Sequence, residues 1–157
     1  RTEFLQARDA AAAARVVPEQ AVGEARRAAL GADAWVVKAE LVREQGAWWW
    51  EITSVSDAGV ASVRVDAAGA RPTPAPAEPA LNDEQAAALR AARERVTVTL
   101  ERAAEIARAQ HLAAKIVEIE LELGDDGGSP VWEVELMIAG SELVDVKVNA
   151  ETGAVID

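Results

Sequence analysis

Apolar residues recur at every second position in several stretches of this chain. The clearest two lie in residues 115–137, KIVEIELELGDDGGSPVWEVELM. Val117, Ile119, Leu121 and Leu123 fall on one side of the first run, with Glu118, Glu120 and Glu122 on the other. In the second run Trp132, Val134 and Leu136 alternate with Glu133 and Glu135. A period of two predicts strands with one buried face each, and the intervening Gly-Asp-Asp-Gly-Gly loop closes them into a hairpin. Weaker alternation predicts further strands at 34–41, 48–53, 60–65 and 143–148. Trp35, Val37, Ala39 and Leu41 are expected on the core side of the first of these, and Trp48, Trp50 and Ile52 on that of the second.

Between the strands the pattern is helical. Alanine content predicts a helix over 3–14, with Phe4 and Leu5 as its anchors. Pro18 suits a first helical position and Glu19 a first turn, so a second helix runs from there to the stop at Gly31. Asn82 or Asp83 caps a helix through Arg95, and Thr99 caps another over 100–111. Between the two sets lie prolines at 72, 74, 76 and 79. Such a run is expected to stay out of any sheet ladder and to act as an extended linker. The expected organisation is residues 1–71, a linker at 72–81, and residues 82–157.

The two blocks resemble one another. At an offset of 82, Arg8 matches Arg90, Glu19 matches Glu101, Ala21 matches Ala103, and Ala25-Arg26 matches Ala107-Arg108. Leu30 matches Leu112, Glu40-Leu41 matches Glu122-Leu123, and Trp50-Glu51 matches Trp132-Glu133. With one extra residue Val65 matches Val148 and Ala67 matches Ala150. With another, Gly69-Ala70 matches Gly153-Ala154. Identities that hold one offset from helix to hairpin predict a tandem duplication, each copy helix–helix–β–β–β, and an α+β fold.

Charge refines the picture. Of the net charge of −11, residues 1–71 carry −1 (nine basic, ten acidic) and residues 72–157 carry −10 (seven basic, seventeen acidic). That balance argues against nucleic acid and anionic membrane surfaces and favours cations or a basic partner. With no Cys there is neither disulfide nor thiol chemistry, and no apolar run reaches the length of a membrane span. The sequence opens at Arg1 rather than Met, which leaves a removed leader or anchor, or a trimmed chain, as open alternatives.

The second copy resembles the PepSY family. The segments TLERAAEIARAQ (99–110), IVEIELE (116–122), VWEVELM (131–137) and VDVKVNAETGAVID (144–157) carry the likeness, most specifically in the closing strand and its N-A-E-T-G-A-V turn. The first copy (17–72) is similar but degenerate. Departures from the family pattern are Asn149 where Asp is usual and Ala154 where an acid is common. The resemblance implies helices packed on a small antiparallel sheet and an extracytoplasmic setting: periplasmic, secreted or anchored at the cell surface. It also implies a non-catalytic role such as protease inhibition or ligand sensing.

Catalytic signatures are missing: one His, no Cys, and no HExxH or GxSxG string. His111 is read as a helix-end residue favoured by the dipole. The acidic sheet face is the sharpest feature. Symmetric pairing about the loop predicts Glu122 opposite Glu133 and Glu120 opposite Glu135, with Asp145 and Lys147 pointing the same way. Like charges facing across strands are unfavourable, and Ca²⁺ or a lanthanide, a basic partner, or plain screening by salt would each relieve them. The carboxylates that would hold such a cation are Glu118, Glu120, Glu122, Asp125, Asp126, Glu133, Glu135 and Asp145, although the loop lacks EF-hand spacing. A second candidate surface is Trp49, expected to face outward beside Val36, as a partner-binding patch or as packing between the copies. The leading expectation is a binding or regulatory protein for a protein or peptide partner, a peptidase among them. A cation-binding protein and the sensory ectodomain of a membrane-anchored protein are the alternatives.

Overall fold

The computed structural model describes residues 4–69, 75–78, 81–124, 128–139 and 142–156. Among the described residues, four α-helices and eight strands make an α+β fold. The helices are α1 (Phe4–Ala13), α2 (Pro18–Ala25), α3 (Asp83–Ala92) and α4 (Leu100–Gln110). The strands are β1 (Val36–Glu44), β2 (Ala47–Ser56), β3 (Gly59–Asp66), β4 (Ala75–Ala77), β5 (Lys115–Glu122), β6 (Val131–Ile138), β7 (Glu142–Asn149) and β8 (Val155–Ile156). All eight strands join one antiparallel sheet in the order β4-β3-β2-β1-β5-β6-β7-β8. The two blocks of sequence therefore share a single sheet, sewn together at β1–β5 by Lys38↔Glu120, Ala39↔Ile119 and Glu40↔Glu118.

Alternation decides what each face of that sheet carries. On the inner face one row runs Val63–Ile52–Ala39–Ile119–Val134–Val146 across six strands, and every member is buried. Helices α2 and α4 cover this face and touch each other. Their inward residues are Pro18, Ala21, Val22 and Ala25 on α2, and Leu100, Ala103, Ala104 and Ala107 on α4. Small side chains let helix and sheet approach closely, so the large apolar volume comes from the strands.

Two cross-helix ion pairs lock α2 to α4. The Arg108 guanidinium grips both oxygens of Glu19 at 2.6 and 2.7 Å, and Arg26 donates to Glu101. Their order is reciprocal, since Glu19 and Arg26 on one helix meet Arg108 and Glu101 on the other. Buried tryptophans fix the helix starts. Trp50 Nε1–H donates to the Val16 carbonyl at 2.7 Å, and Trp132 Nε1–H to the Val98 carbonyl at 2.8 Å.

The remaining two helices lie on the outer face, and each crosses to the other block. Helix α1 packs on β1, β5, β6 and β7, where Lys115 Nζ donates to its Ala11 and Ala14 carbonyls. Helix α3 packs on β2 and β3, where Thr53, Val55 and Ser62 are buried. Phe4 and Leu5, expected to anchor α1, are exposed; Ala7, Ala10, Ala11 and Ala14 hold it down instead, at a spacing of three and four.

A capping box opens α3: Asn82 Oδ1 accepts from Gln85 N–H at 2.8 Å, and Gln85 Oε1 accepts from Asn82 N–H at 2.9 Å. Asn82→Ala is expected to lower stability by about 1 kcal/mol, read as a shift of the urea midpoint at unchanged slope.

Two expectations about strands change. Part of the proline segment does enter the ladder, because Ala75–Ala77 pairs with β3 through Ser62↔Ala77, Val63↔Pro76 and Arg64↔Ala75. Pro76 is tolerated there because β4 is an edge strand, whose outward side needs no N–H. The second hairpin pairs Glu120 with Glu133 and Glu118 with Glu135, two residues out of step with symmetric closure. A shift of two keeps every side chain on its expected face, so the glutamates remain outward but change partners.

Candidate functional site

Two rows of side chains cross the outer face between α1 and α3. The first reads Ser62–Thr53–Lys38–Glu120–Glu133–Lys147, and the second Arg64–Glu51–Glu40–Glu118–Glu135–Asp145. Opposite charges alternate near the middle and end of the first, and Lys38 Nζ lies 3.1 Å from Glu120. In the second row five carboxyl groups follow one another across five strands, relieved at one end by Arg64, which donates to Glu51 at 3.3 Å and pairs with Glu44. Glu135 is 3 % exposed although it carries a charge-bearing group, because α1 covers this end of β6.

This crowding raises carboxyl proton affinity. Burial, a hydrogen bond with Glu40 and repulsion from Glu40 push Glu118 up to about 8. Burial together with Glu133 and Glu120 pushes Glu122 up to about 7. Glu51 is raised by burial and by Glu40, with Lys38 acting the other way. Lys38 is itself raised: burial opposes its charge, but Glu40, Glu120 and Glu118 outweigh it.

The structure thus gathers Glu118, Glu120, Glu122, Glu133 and Glu135 around one depression of about 250 Å³ that Lys38 and Glu40 complete. Asp145 continues the same row but lies outside that depression, and it is exposed. Asp125 and Asp126 lie outside the described residues. Among the described residues no three Asp, Glu or His side chains are placed to hold one metal ion together. The carboxyls form a ladder spaced by the strands, and a ladder spreads its oxygens along a line where a coordination shell would close them around a point. Alternation puts Lys38 and Glu40 on the outward side of the first block, but the β1–β5 pairing that brings them to this depression joins remote parts of the chain and has no signal in the sequence.

The Trp49 patch needs a correction. Val36 is buried and pairs with Ser54, whereas Trp49 pairs with Val42 and Asp66. The two-residue Gln45-Gly46 turn sets that register, with both φ angles positive (52° and 80°) as a type I′ hairpin requires. A bulge at Val36–Val37 then lets two successive valines point inward. It also turns Trp35 away from the core side, to sit half-buried with the Arg93 guanidinium 5.4 Å from its ring centre. Trp49 is half-buried and borders a shallow depression of about 270 Å³ with Arg64, Ala75 and Pro76. Trp48, expected in the core, is also half-buried, at the hairpin end where the sheet runs out.

The C-terminal turn repays its prominence in the sequence. Asn149 Oδ1 accepts from Glu151 N–H at 2.8 Å and Thr152 N–H at 3.1 Å, and Gly153 adopts φ 81°. An amide oxygen serves this turn as a carboxylate would, so the departure at Asn149 leaves the turn intact. Asp66 does the same for Ala68 and Gly69.

With this geometry in hand, comparison with known proteins places the C-terminal block in a class. Residues 97–157 match the family model described as "Peptidase propeptide and YPEB domain", PepSY, so one PepSY domain is found there. The whole chain is also similar to the crystal structure of a protein from Clostridium difficile 630 assigned as a lipoprotein. The TM-score is 0.46 and the identity 18 %, over 92 % of each chain. No curated protein matches the sequence. Among the described residues, no helix is long and apolar enough to cross a membrane.

Proposed function

We propose that this chain is a non-enzymatic, extracytoplasmic binding protein made of two PepSY-like modules fused through one sheet, and that it modulates a peptidase or another envelope partner. The PepSY match over residues 97–157 carries the reading, because modules of this family stand as propeptides beside peptidases. The duplicated character of the chain rests on equivalent contacts. Arg15 and Val16 N–H donate to the Ala67 carbonyl as Thr97 and Val98 N–H donate to that of Ala150, and the two Trp-to-carbonyl bonds recur 82 residues apart. The partner-facing surface is the Trp49 depression, where an aromatic ring, a guanidinium and a proline edge adjoin one another.

The test is inhibition of a purified extracytoplasmic metallopeptidase by the purified chain, wild type against Trp49→Ala. The expected result is inhibition that weakens about tenfold or more in the variant, the scale of a modest hot spot. A peptidase equally active with and without the chain would remove the regulatory reading. Equal inhibition by both proteins would move the contact away from Trp49.

A further inference from the structure

The outer-face row Glu51–Glu40–Glu118–Glu135–Asp145 sets four acid-against-acid neighbours side by side. Strands lie about 4.8 Å apart, and each such pair opposes the pairing it sits on. One of the four falls at a special place. Glu40 faces Glu118 across the β1–β5 seam, which has three register pairs where β2–β3 and β6–β7 have eight each. The other outer-face pair of the seam is the Lys38–Glu120 ion pair, so one side of the junction is held by opposite charges while the other sets like against like. Glu118 Oε2 is closed off from solvent without a hydrogen-bond partner among the described residues.

We propose that Glu40 and Glu118 form a pH-sensitive latch on this seam. Below and around neutrality Glu118 keeps its proton in front of Glu40, and the outer side of the junction stays closed. In alkaline surroundings Glu118 loses it, and two facing carboxylates loosen the contact between the halves. This inference is independent of the binding role proposed above.

The surroundings of the pair favour keeping the proton. Glu120 and Glu122 on β5, Glu133 and Glu135 on β6, Glu51 on β2 and Asp145 on β7 add negative charge. Among the described residues that line the depression, Lys38 is the one opposing cation, and Glu120 engages it. Arg64 on β3 and Lys147 on β7 stand farther along the rows, and Arg64 is taken up by Glu44 and Glu51. Lys115 on β5 is turned to the Ala11 and Ala14 carbonyls, Asp9 of α1 and Arg43 of β1 line one depression with Glu40, and α3 presents the uncharged Gln85, Ala88 and Leu89.

The direction of the effect follows. Glu118 binds its proton more tightly in the folded chain, up to about 8, than in an unfolded chain, where a glutamate titrates near 4.5. Stability from this proton is complete below the lower value and is lost as pH rises through the higher one. The experiment is thermal unfolding from about pH 5.5 to about pH 9, joined to carboxyl-carbon NMR titration. The wild-type midpoint should fall as pH rises. Glu118→Gln, which cannot ionise, should lose much of that fall, and Glu118→Lys, which sets opposite charges on both sides of the seam, should melt highest at the alkaline end. Glu142→Gln, exposed at the start of β7, should keep the wild-type slope. A Glu40–Glu118 pair that is fully ionised by about pH 6 in the NMR titration, or Glu118→Gln melting in parallel with wild type, would overturn the latch. Both informative variants remove a repulsion, so neither result depends on a damaged fold.

Discussion

Trp132→Ala is expected to lower stability by about 3–5 kcal/mol, enough to unfold a large share of the molecules of a marginally stable domain. The ring is fully buried on the inner face between β5 and β7, paired with Leu121 on one side and Val148 on the other. Its removal leaves a cavity that α4 closes poorly, because the fully buried residues of that helix beyond Leu100 are alanines and Ile106 packs only at the margin of the core. The indole also donates to the Val98 carbonyl at 2.8 Å just before α4 starts, so the truncation leaves that acceptor without its indole donor. Urea unfolding followed by the fluorescence of the remaining tryptophans measures the loss. A cost below about 1 kcal/mol would mean the site collapses around the gap.

Residues 82–157 produced alone are expected to lose fixed packing even though they contain the PepSY match. The crossed helices are the reason. Met137 and Glu135 on the outer side of β6 are covered by α1, which belongs to the other block, and β5 leans on β1 along the seam. Without them an apolar patch, a charge-bearing group and a strand edge all meet water. Such a fragment should bind a hydrophobic dye, show little near-ultraviolet dichroism, and melt over a broad range. Adding residues 1–78 in trans should restore a sharp transition. A cooperative, dye-free fragment would show that the block closes its own outer face.

Beyond the bulge at Val36–Val37, the faces of the strands were legible in the sequence because alternation is local, and so were the Asn82 and Thr99 caps. What escaped were relations set by distant chain. The match of Glu40-Leu41 to Glu122-Leu123 illustrates this. In the sheet Leu41 pairs with Trp50, and Leu121 pairs with Trp132, so Glu40-Leu41 occupies the place of Glu120-Leu121. Trp132 follows Leu121 by eleven positions where Trp50 follows Leu41 by nine, which changes the offset from 80 before the turn to 82 after it. A repeated Glu-Leu dipeptide hid that step. The α2–α4 ion pairs were also within reach. The identities Glu19 with Glu101 and Arg26 with Arg108 were visible, and a seven-residue spacing places each pair along one helix face. Their meeting required knowing that the two helices lie together. The contributions of Lys38 and Glu40 to the acidic row depended on the seam, for which a single sequence holds no signal.

The register of the seam is symmetric about one residue pair. With an offset of 80 on these strands, Ala39 and Ile119 are equivalent residues that face each other, so a twofold axis passes between them. Further relations across it are reciprocal: Glu19–Arg108 with Arg26–Glu101, and α1 over β5–β7 with α3 over β2–β3. Reciprocity of this kind is what two identical subunits show at an isologous interface. On the two-module reading, the ancestor was a single half that dimerised through its first strand. In it, position 38 of each copy met position 40 of the other. The present chain has an ion pair at one of these places, Lys38–Glu120, and facing carboxyls at the other, Glu40–Glu118. On that reading covalent fusion permits the divergence: with the halves tethered, one side of the seam can do without its ion pair while the other keeps the halves together.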